Sequence, residues 1–433
     1  MKNKIIMIFF ASLFLGNGLI ARECKSVLGA HFKPLYENAP IQWAGELKGS
    51  GGNIQGSALN RYYYNSQFIL GLEFNINENI FYLEPAIKYW KKSDPPLENR
   101  ELEQLLYPLP QKRHFGFREF SISPAVFNNN LLIGLQSMSF SGISVLDERV
   151  LGLAYDNTYK QVDLAFRSGT VSRDFSRMED FCGTRHVYSI LHEGPYTLVG
   201  DQPGETNFVG SSINWFPERE SEPGLQASGD QFSEFNEFES FSNESKPELI
   251  NNMGLLLFQE FGKGFDDNPL YLGAFMNLNL PLEIKFENEF IYQSAKNSRL
   301  LAHIWRVSRS INWISDQTTD LSLAYYGSYG FDSDSRFTPA FSSLFMGEVV
   351  RLDARDVPLI MASIRRQINL PFNPSIKIAF VRQLYLNHTA EFDLEVKIDA
   401  LENIDLYGTF SAIESHALQG KAGMVKLEGR WGF

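Results

Sequence analysis

Charged and amide side chains recur at alternate positions in several stretches of this chain. Arg365, Gln367 and Asn369 form one set, Lys426, Glu428 and Arg430 another, and Gln161, Asp163 and Arg167 a third. Arg306 and Lys377 stand in similar surroundings, and Arg382 falls on the opposite phase. Side chains spaced by two share one face of a β-strand, so these groups can line a common wall. A wall of this kind steers charged solutes, because fixed charge in a narrow space focuses its field on what passes. It does not activate a nucleophile. The chain carries no G-x-S-x-G, Walker or G-x-G-x-x-G pattern, and no two His have metal-ligand spacing on one strand. His303, on a half-apolar stretch, reads as a packed or interfacial residue. No metal, cofactor or catalytic set is expected, and the chain is not expected to be an enzyme.

The elements that carry these residues alternate between apolar and polar positions. Phe392, Leu394, Val396 and Ile398 interleave with Asp393, Glu395, Lys397 and Asp399. Ile284, Phe286, Phe290 and Tyr292 interleave in the same way with Lys285, Glu287 and Glu289. The stretch Lys421 to Phe433 puts Val425, Leu427, Gly429, Trp431 and Phe433 on one side and Lys426, Glu428 and Arg430 on the other. Period-2 alternation predicts strands with one apolar and one wet face. A bare strand of this kind is a sticky edge unless another strand closes on it. A transmembrane barrel supplies that closure. The aromatic Phe433 with apolar residues at alternate positions before it also resembles the assembly signal of bacterial outer-membrane barrels, so the barrel-assembly machinery is an expected partner.

Residues 1–21 have Lys2 and Lys4, then an apolar run from Ile5 to Leu15, and read as a secretory signal peptide. Residues 22–433 then form a single barrel. Beyond residue 21 no apolar run approaches the roughly 20 residues of a membrane helix. A chain that enters a membrane without such helices does so as a barrel. Aromatics are 14% of the residues, with Phe 36 and Tyr 18, and Cys is only 2, which suits interfacial girdles rather than a disulfide scaffold. Cys24 and Cys182 pair only if the fold brings them together. The formal charge of −12 disfavours nucleic acid as a partner. Much of that excess is local: between Glu218 and Glu248 nine acidic residues face only Arg219 and Lys246, a balance of −7.

Strand and turn signals give about 18 antiparallel strands, or about 16 if the first and the eighth are not strands. The parity of the connections supports 18. With both termini in the periplasm, the connections after even strands are the short ones: Asn77–Asn79, Asn128–Asn130, Asp156–Tyr159, Leu280–Pro281, Pro371–Pro374 and Ala400–Asn403. The acidic segment 218–248 breaks the rule. It is expected to be a mobile periplasmic insertion, with a gate as one role.

The stretch from Arg118 to Asp156 holds an R-E pair (Arg118, Glu119), a hairpin into G-x-Q (Gln136), then L-D-x-R (Asp147, Arg149) and a further strand. This arrangement resembles the alginate-export family of outer-membrane porins. The chain departs from that family at Leu135, where the family usually has Arg. The resemblance implies an 18-stranded barrel with basic residues lining a pore for an acidic polysaccharide. Independently of any family, Glu119 and Arg149 lie on nearby strands and are expected to pair inside the wall and pin its register.

The expected fold is therefore all-β, a transmembrane antiparallel barrel in the outer membrane of a Gram-negative-type bacterium, in contact with its lipid. The expected role is a passive channel for a polar, anionic solute or polysaccharide. Arg167, Arg306, Arg365, Lys377, Lys426 and Arg430 are its candidate lining cations. Two alternatives stand beside it: a structural or partner-binding barrel with a filled lumen, in which those charges only pair with acids, and a membrane-embedded hydrolase.

Overall fold

A computed structural model of the chain describes residues 32–36, 39–56, 60–92, 113–140, 146–171, 206–217, 249–262, 268–296, 298–313, 317–330, 344–345, 351–352, 358–384, 390–401, 403–415 and 420–433. Residues 1–21, both cysteines and the segment 218–248 lie outside them. The fold is a closed antiparallel barrel of 18 strands. In chain order they are β1 (Ile41–Gly56), β2 (Asn60–Ile76), β3 (Asn79–Lys92), β4 (Arg113–Ser123), β5 (Leu131–Phe140) and β6 (Leu146–Tyr159). Then come β7 (Val162–Val171), β8 (Thr206–Trp215), β9 (Ile250–Gly262), β10 (Leu270–Leu280), β11 (Ile284–Ala295) and β12 (Ser298–Trp313). The last six are β13 (Gln317–Gly330), β14 (Leu359–Gln367), β15 (Ser375–Gln383), β16 (Ala390–Leu401), β17 (Ile404–Ser415) and β18 (Gly420–Gly432). Each strand pairs with its sequence neighbours, and β18 closes on β1 from Glu46↔Gly432 to Gly56↔Ala422. The eighth strand is real, and it pairs directly with β9.

Alternation sorts the side chains as the sequence implies. Leu164, Phe166, Leu255, Leu257, Leu321, Leu323, Phe392 and Leu427 are exposed on the outer face. Asp393, Glu395, Lys426 and Glu428 turn inward and are buried. No helix among the described residues is long and apolar enough to cross a membrane. Membrane crossing by strands needs none, because every ladder amide finds its partner in the next strand.

The connections on the terminus-bearing end are tight. Asn77 and Glu78 (φ 51 and 66) reverse the chain between β2 and β3, as a two-residue hairpin requires. Asn128 and Asn129 also take left-handed backbone, after a 3₁₀ turn at Ala125–Phe127. Alternation carries the fourth strand from about Phe115 to Phe127, but it stops at Ser123, where Pro124 has no amide to give the ladder. The turn expected at Asp156–Tyr159 is also corrected. These residues stay in β6, and the reversal falls at Lys160 (φ 54) and Gln161. Asp156 is held in the strand by an ion pair to Arg167 on β7. The acidic segment 218–248 connects two paired strands at this same end. Pro217 accepts a hydrogen bond from Gln161 Nε2 and Leu249 one from the Asn279 amide, so its anchors are fixed. At the opposite end, Leu344–Phe345 and Arg351–Leu352 form a small separate hairpin between β13 and β14.

The seam between β1 and β18 is finished by aromatic packing. Phe433 exchanges two backbone hydrogen bonds with Gly45, of 2.8 and 2.9 Å. Its ring lies over Gly45 and meets Phe68, Trp43 and Trp431 at centroid distances of 6.2, 6.4 and 5.0 Å. A β-carbon at Gly45 would run into that ring. Beyond Phe433 the edge of β1 is covered by Lys33 and Pro34, paired with Trp43 and Gln42. Phe32 packs inside against Tyr82 and the cluster of Ala44, Ile69 and Ala86.

Replacing Gly45 by Leu displaces Phe433 from three aromatic partners. The expected cost is about 2–4 kcal/mol of folded-state stability, read as a lower urea midpoint in detergent micelles. Gly49→Ala is the control, since nothing lies within 4 Å of a β-carbon there. Equal midpoints for the two variants would remove the packing role of Phe433.

Candidate functional site

The inner wall is the surface that can act on a solute, and it has two zones. Toward the end away from the termini, inward positions on β8–β16 are sealed from water, and apolar side chains (Phe208, Phe258, Tyr271, Leu300, Tyr326 and Val381) mix there with the buried Glu260, Gln293, Gln383 and Glu391. Phe208 stacks on Phe258 at 5.2 Å, and Phe258 meets Tyr271 in a tilted contact at 5.9 Å. Toward the terminus-bearing end the wall is charged. Water reaches the inner wall in this second zone, and there the candidate cations lie.

Each candidate is positioned by strand phase. Arg167 on β7 pairs with Asp156 at 2.8 Å and also donates to the carbonyls of Tyr155 and Phe166. Arg306 on β12 pairs with Glu287 on β11 at 2.9 Å. Within both pairs the base lies against the wall and the acid toward the water. The Arg306 side chain is 12% exposed and Glu287 42%, and Arg167 is 11% exposed and Asp156 36%. The guanidinium is anchored by its long stem, while the carboxylate caps it from the lumen side.

Across β13 to β18 one hydrogen-bonded row reads Asp320, Arg365, Lys377, Glu395, Thr409 and Lys426. Arg365 comes within 4.0 Å of Glu395. Lys377, between them, has no ion pair or hydrogen bond among the described residues. Arg382 is exposed between the buried Val381 and Gln383 and therefore faces outward.

Lys426 and Arg430 belong to a buried network at the seam. Glu428 takes Arg430 at 2.6 Å, Lys48 at 3.4 Å and Lys426 at 3.7 Å. Arg430 stacks on the Tyr407 ring at 5.2 Å. Lys397 adds Asp399 and Asp405 at 2.8 and 3.4 Å, and the Tyr407 hydroxyl donates to Asp405. Lys426 is only 2% exposed, so it holds the wall rather than meeting water. Ser411 donates a short hydrogen bond to Asp393 in the same wall. Charges that neutralise one another across strands fix register and keep buried groups satisfied.

The residues of the motif stretch also come together in part. Arg118 is buried and pairs with Glu84 of β3 at 2.7 Å, and Tyr82 donates to the other oxygen of Glu84 at 2.8 Å. Arg118 is the extra residue of a β-bulge, since Glu84 sits opposite Glu119 and Pro85 opposite Phe117. Proline cannot donate to the ladder, which is why the register slips there. The pair expected between Glu119 and Arg149 turns on the Arg149 side chain, which is not described, and their strands β4 and β6 are separated by β5. The backbones of Asp147 and Arg149 stand opposite Ser139 and Ser137, and their side chains are not among those described. Gln136 is buried and donates to the Leu132 carbonyl at 3.2 Å. Gly134 before it has φ +143, and a β-carbon would strike the Phe120 backbone, so that position needs glycine. Leu135 pairs with the outward Phe120 and Leu151, a place on the wall where an apolar residue fits.

Alternation with Phe81, Leu83 and Ile87 is enough to put Glu84 on the polar face, but nothing in the sequence marks it as the partner of Arg118. Lys48, Lys397, Asp405 and Tyr407 were likewise missed as a group, because only the register brings them to one place. His303 stands on the outer face between Phe290 and Tyr325 at 6.2 and 5.3 Å. Among the described residues no group of His, Cys, Asp and Glu could hold a metal ion.

No protein-family model matches the chain, and no curated protein matches it in sequence. Solved structures do. The outer membrane protein OprD from Pseudomonas aeruginosa is 10% identical, with 93% of this chain and 95% of that chain covered and a TM-score of 0.54. OpdQ from the same organism is 10% identical, with 91% and 98% covered and a TM-score of 0.51. OccK5 (OpdH), also from that organism, is 8% identical, with 90% and 98% covered and a TM-score of 0.50. At these identities the likeness is one of fold: the same closed barrel, over nearly the whole of both chains.

The Arg118–Glu84 pair is testable apart from any transport. Arg118→Leu leaves Glu84 buried without its cation and is expected to cost about 3–5 kcal/mol in urea unfolding. Arg118→Leu combined with Glu84→Leu is expected to recover most of that loss. If the double variant is no more stable than the single one, the bulge and not the ion pair holds β3 to β4.

Proposed function

We propose that the chain is a passive channel of the outer membrane, admitting or exporting small polar solutes. The observation that carries this is a closed 18-strand wall, apolar outside, whose inner face presents charged groups to water. The fold likeness to outer-membrane proteins supports the same location, with the termini in the periplasm. The closing strand that ends in Phe433 serves as the segment the assembly machinery engages.

An anionic solute is the finer reading. It is supported by Arg365 and Lys377, adjacent on the wall, of which Lys377 makes no ion pair among the described residues although Glu395 stands opposite it in the register. An acidic polysaccharide is supported only by the Arg118–Arg149 resemblance, and Arg118 itself is bound to Glu84 out of reach of a solute. One observation favours a second reading, a structural barrel with a filled lumen: the sealed inward side chains from Phe208 to Val381.

Planar-bilayer recording separates the two. A channel gives steady single-channel current, and Lys377→Glu shifts its reversal potential in a salt gradient toward cation selectivity. A correctly folded protein that passes no steady current overturns the channel, and unchanged selectivity in the variant removes Lys377 from the path.

A further inference from the structure

We propose that the outer wall of β12–β14 carries a binding site for the phosphate of a phospholipid headgroup, formed by Arg309, Thr319 and Arg366. Strand phase puts all three on the membrane side. Arg309 lies in an outward row with Leu321, Ile364 and Ile378, all three of them exposed apolar residues. Thr319 lies in the next outward row, between Ile311 and Arg366. Arg309 is therefore the diagonal neighbour of Thr319 across one strand pair, and Arg366 is its direct neighbour across the other. Such neighbours are within reach of a long side chain.

A guanidinium on the lipid side of a barrel is costly near the bilayer centre and tolerable only near an interface. These three residues sit at such an edge. Thr319 is the third residue of β13, and Arg366 is the last but one of β14, both at the terminus-bearing end. Leu321, Leu323 and Ile364 begin the apolar belt directly above them.

Two atoms here lack the partner that their burial calls for. The Arg309 Nε is sealed from solvent with no hydrogen bond, and no carboxylate meets this side chain among the described residues. The Thr319 hydroxyl is likewise buried without a partner, on a residue 6% exposed. A cation on the lipid face without a counter-charge is costly, so an anion that reaches the Arg309 guanidinium from the headgroup layer is held there. A phosphate is such an anion. Its oxygens accept two parallel bonds from a guanidinium and a further one from a hydroxyl. The acyl chains of the same molecule would lie along Leu321, Leu323 and Ile364. With the termini in the periplasm, the lipid belongs to the periplasmic leaflet.

The site rests on the barrel being membrane-embedded, which is read separately as the heat-modifiable folded band in detergent. Native mass spectrometry of that folded protein, titrated with phosphatidylglycerol, is expected to show one retained lipid. Arg309→Gln, and Arg309→Gln with Thr319→Val and Arg366→Gln, are expected to lower its retention by about tenfold, the worth of one charge-assisted bond. Arg309→Lys is expected to restore part of it, and Lys421→Ala, at the other end of the barrel, to change nothing. Diacylglycerol with the same chains is expected to bind no better to the native protein than phosphatidylglycerol does to the triple variant. Equal retention in the folded triple variant overturns the proposal. So does equal retention of diacylglycerol, which would leave only a greasy belt, and so does full displacement by equimolar inorganic phosphate, which would make it a free-anion site.

Discussion

A backbone amide inside a bilayer has no water to fall back on, so a strand wall survives there only if its two edges find each other. Everything in this molecule follows from how that closure is made. β18 runs along β1 from Gly432 to Ala422, and the last pair beyond it is the exchange between Phe433 and Gly45. Gly45 leaves room for the Phe433 ring, and Trp43, Phe68 and Trp431 enclose it on the membrane side. The seam is thus sealed twice, by hydrogen bonds within the wall and by aromatic rings at its surface, where such rings sit well between oil and water.

On the inner side the same seam is held by charge. Glu428 gathers cations from β1 and β18, and Lys397 bridges β16 and β17. Charge of this kind does not tell a solute where to go, because its fields cancel within a few ångströms. What stays exposed on the inner wall is the remainder of that cancellation: the lumen-facing carboxylates of Glu287 and Asp156 on one part, and the half-buried Lys377 beside Arg365 on another. The field of such a wall is set by exposure within pairs more than by net charge.

Much of this was legible from the order of residues. The two-faced strands around Phe286 and Phe392, the closure of the last strand on the one beginning at Ile41, and the parity that sets the acidic segment apart all follow from alternation and turn chemistry. What could not be seen has specific causes. The full length of β2 was hidden because Arg61 to Asn65 does not alternate cleanly. The reversal near Tyr159 was misplaced because Asp156, Asn157 and Thr158 are turn formers by type and strand residues by partner. The Arg118–Glu84 pair depends on a register slip at Pro85, and a slip of one residue changes which side chains meet without changing the periodicity that sequence displays. Lys426 had the right phase but the wrong environment: facing inward and reaching water are separate properties in a wall this crowded.

The short ladder of Lys33 and Pro34 on β1 has a consequence in time. It makes the first described residues of the chain and the last ones share a single strand edge, with nearly the whole sequence between them. Contacts of such long range are the slowest to form, since the loop they close must first give up its freedom. Closing that edge of β1 is therefore the pairing of longest range in the wall. Residues 33–34 can lie down there before β18 arrives, holding the far end of the edge while the last strand is brought round to meet it.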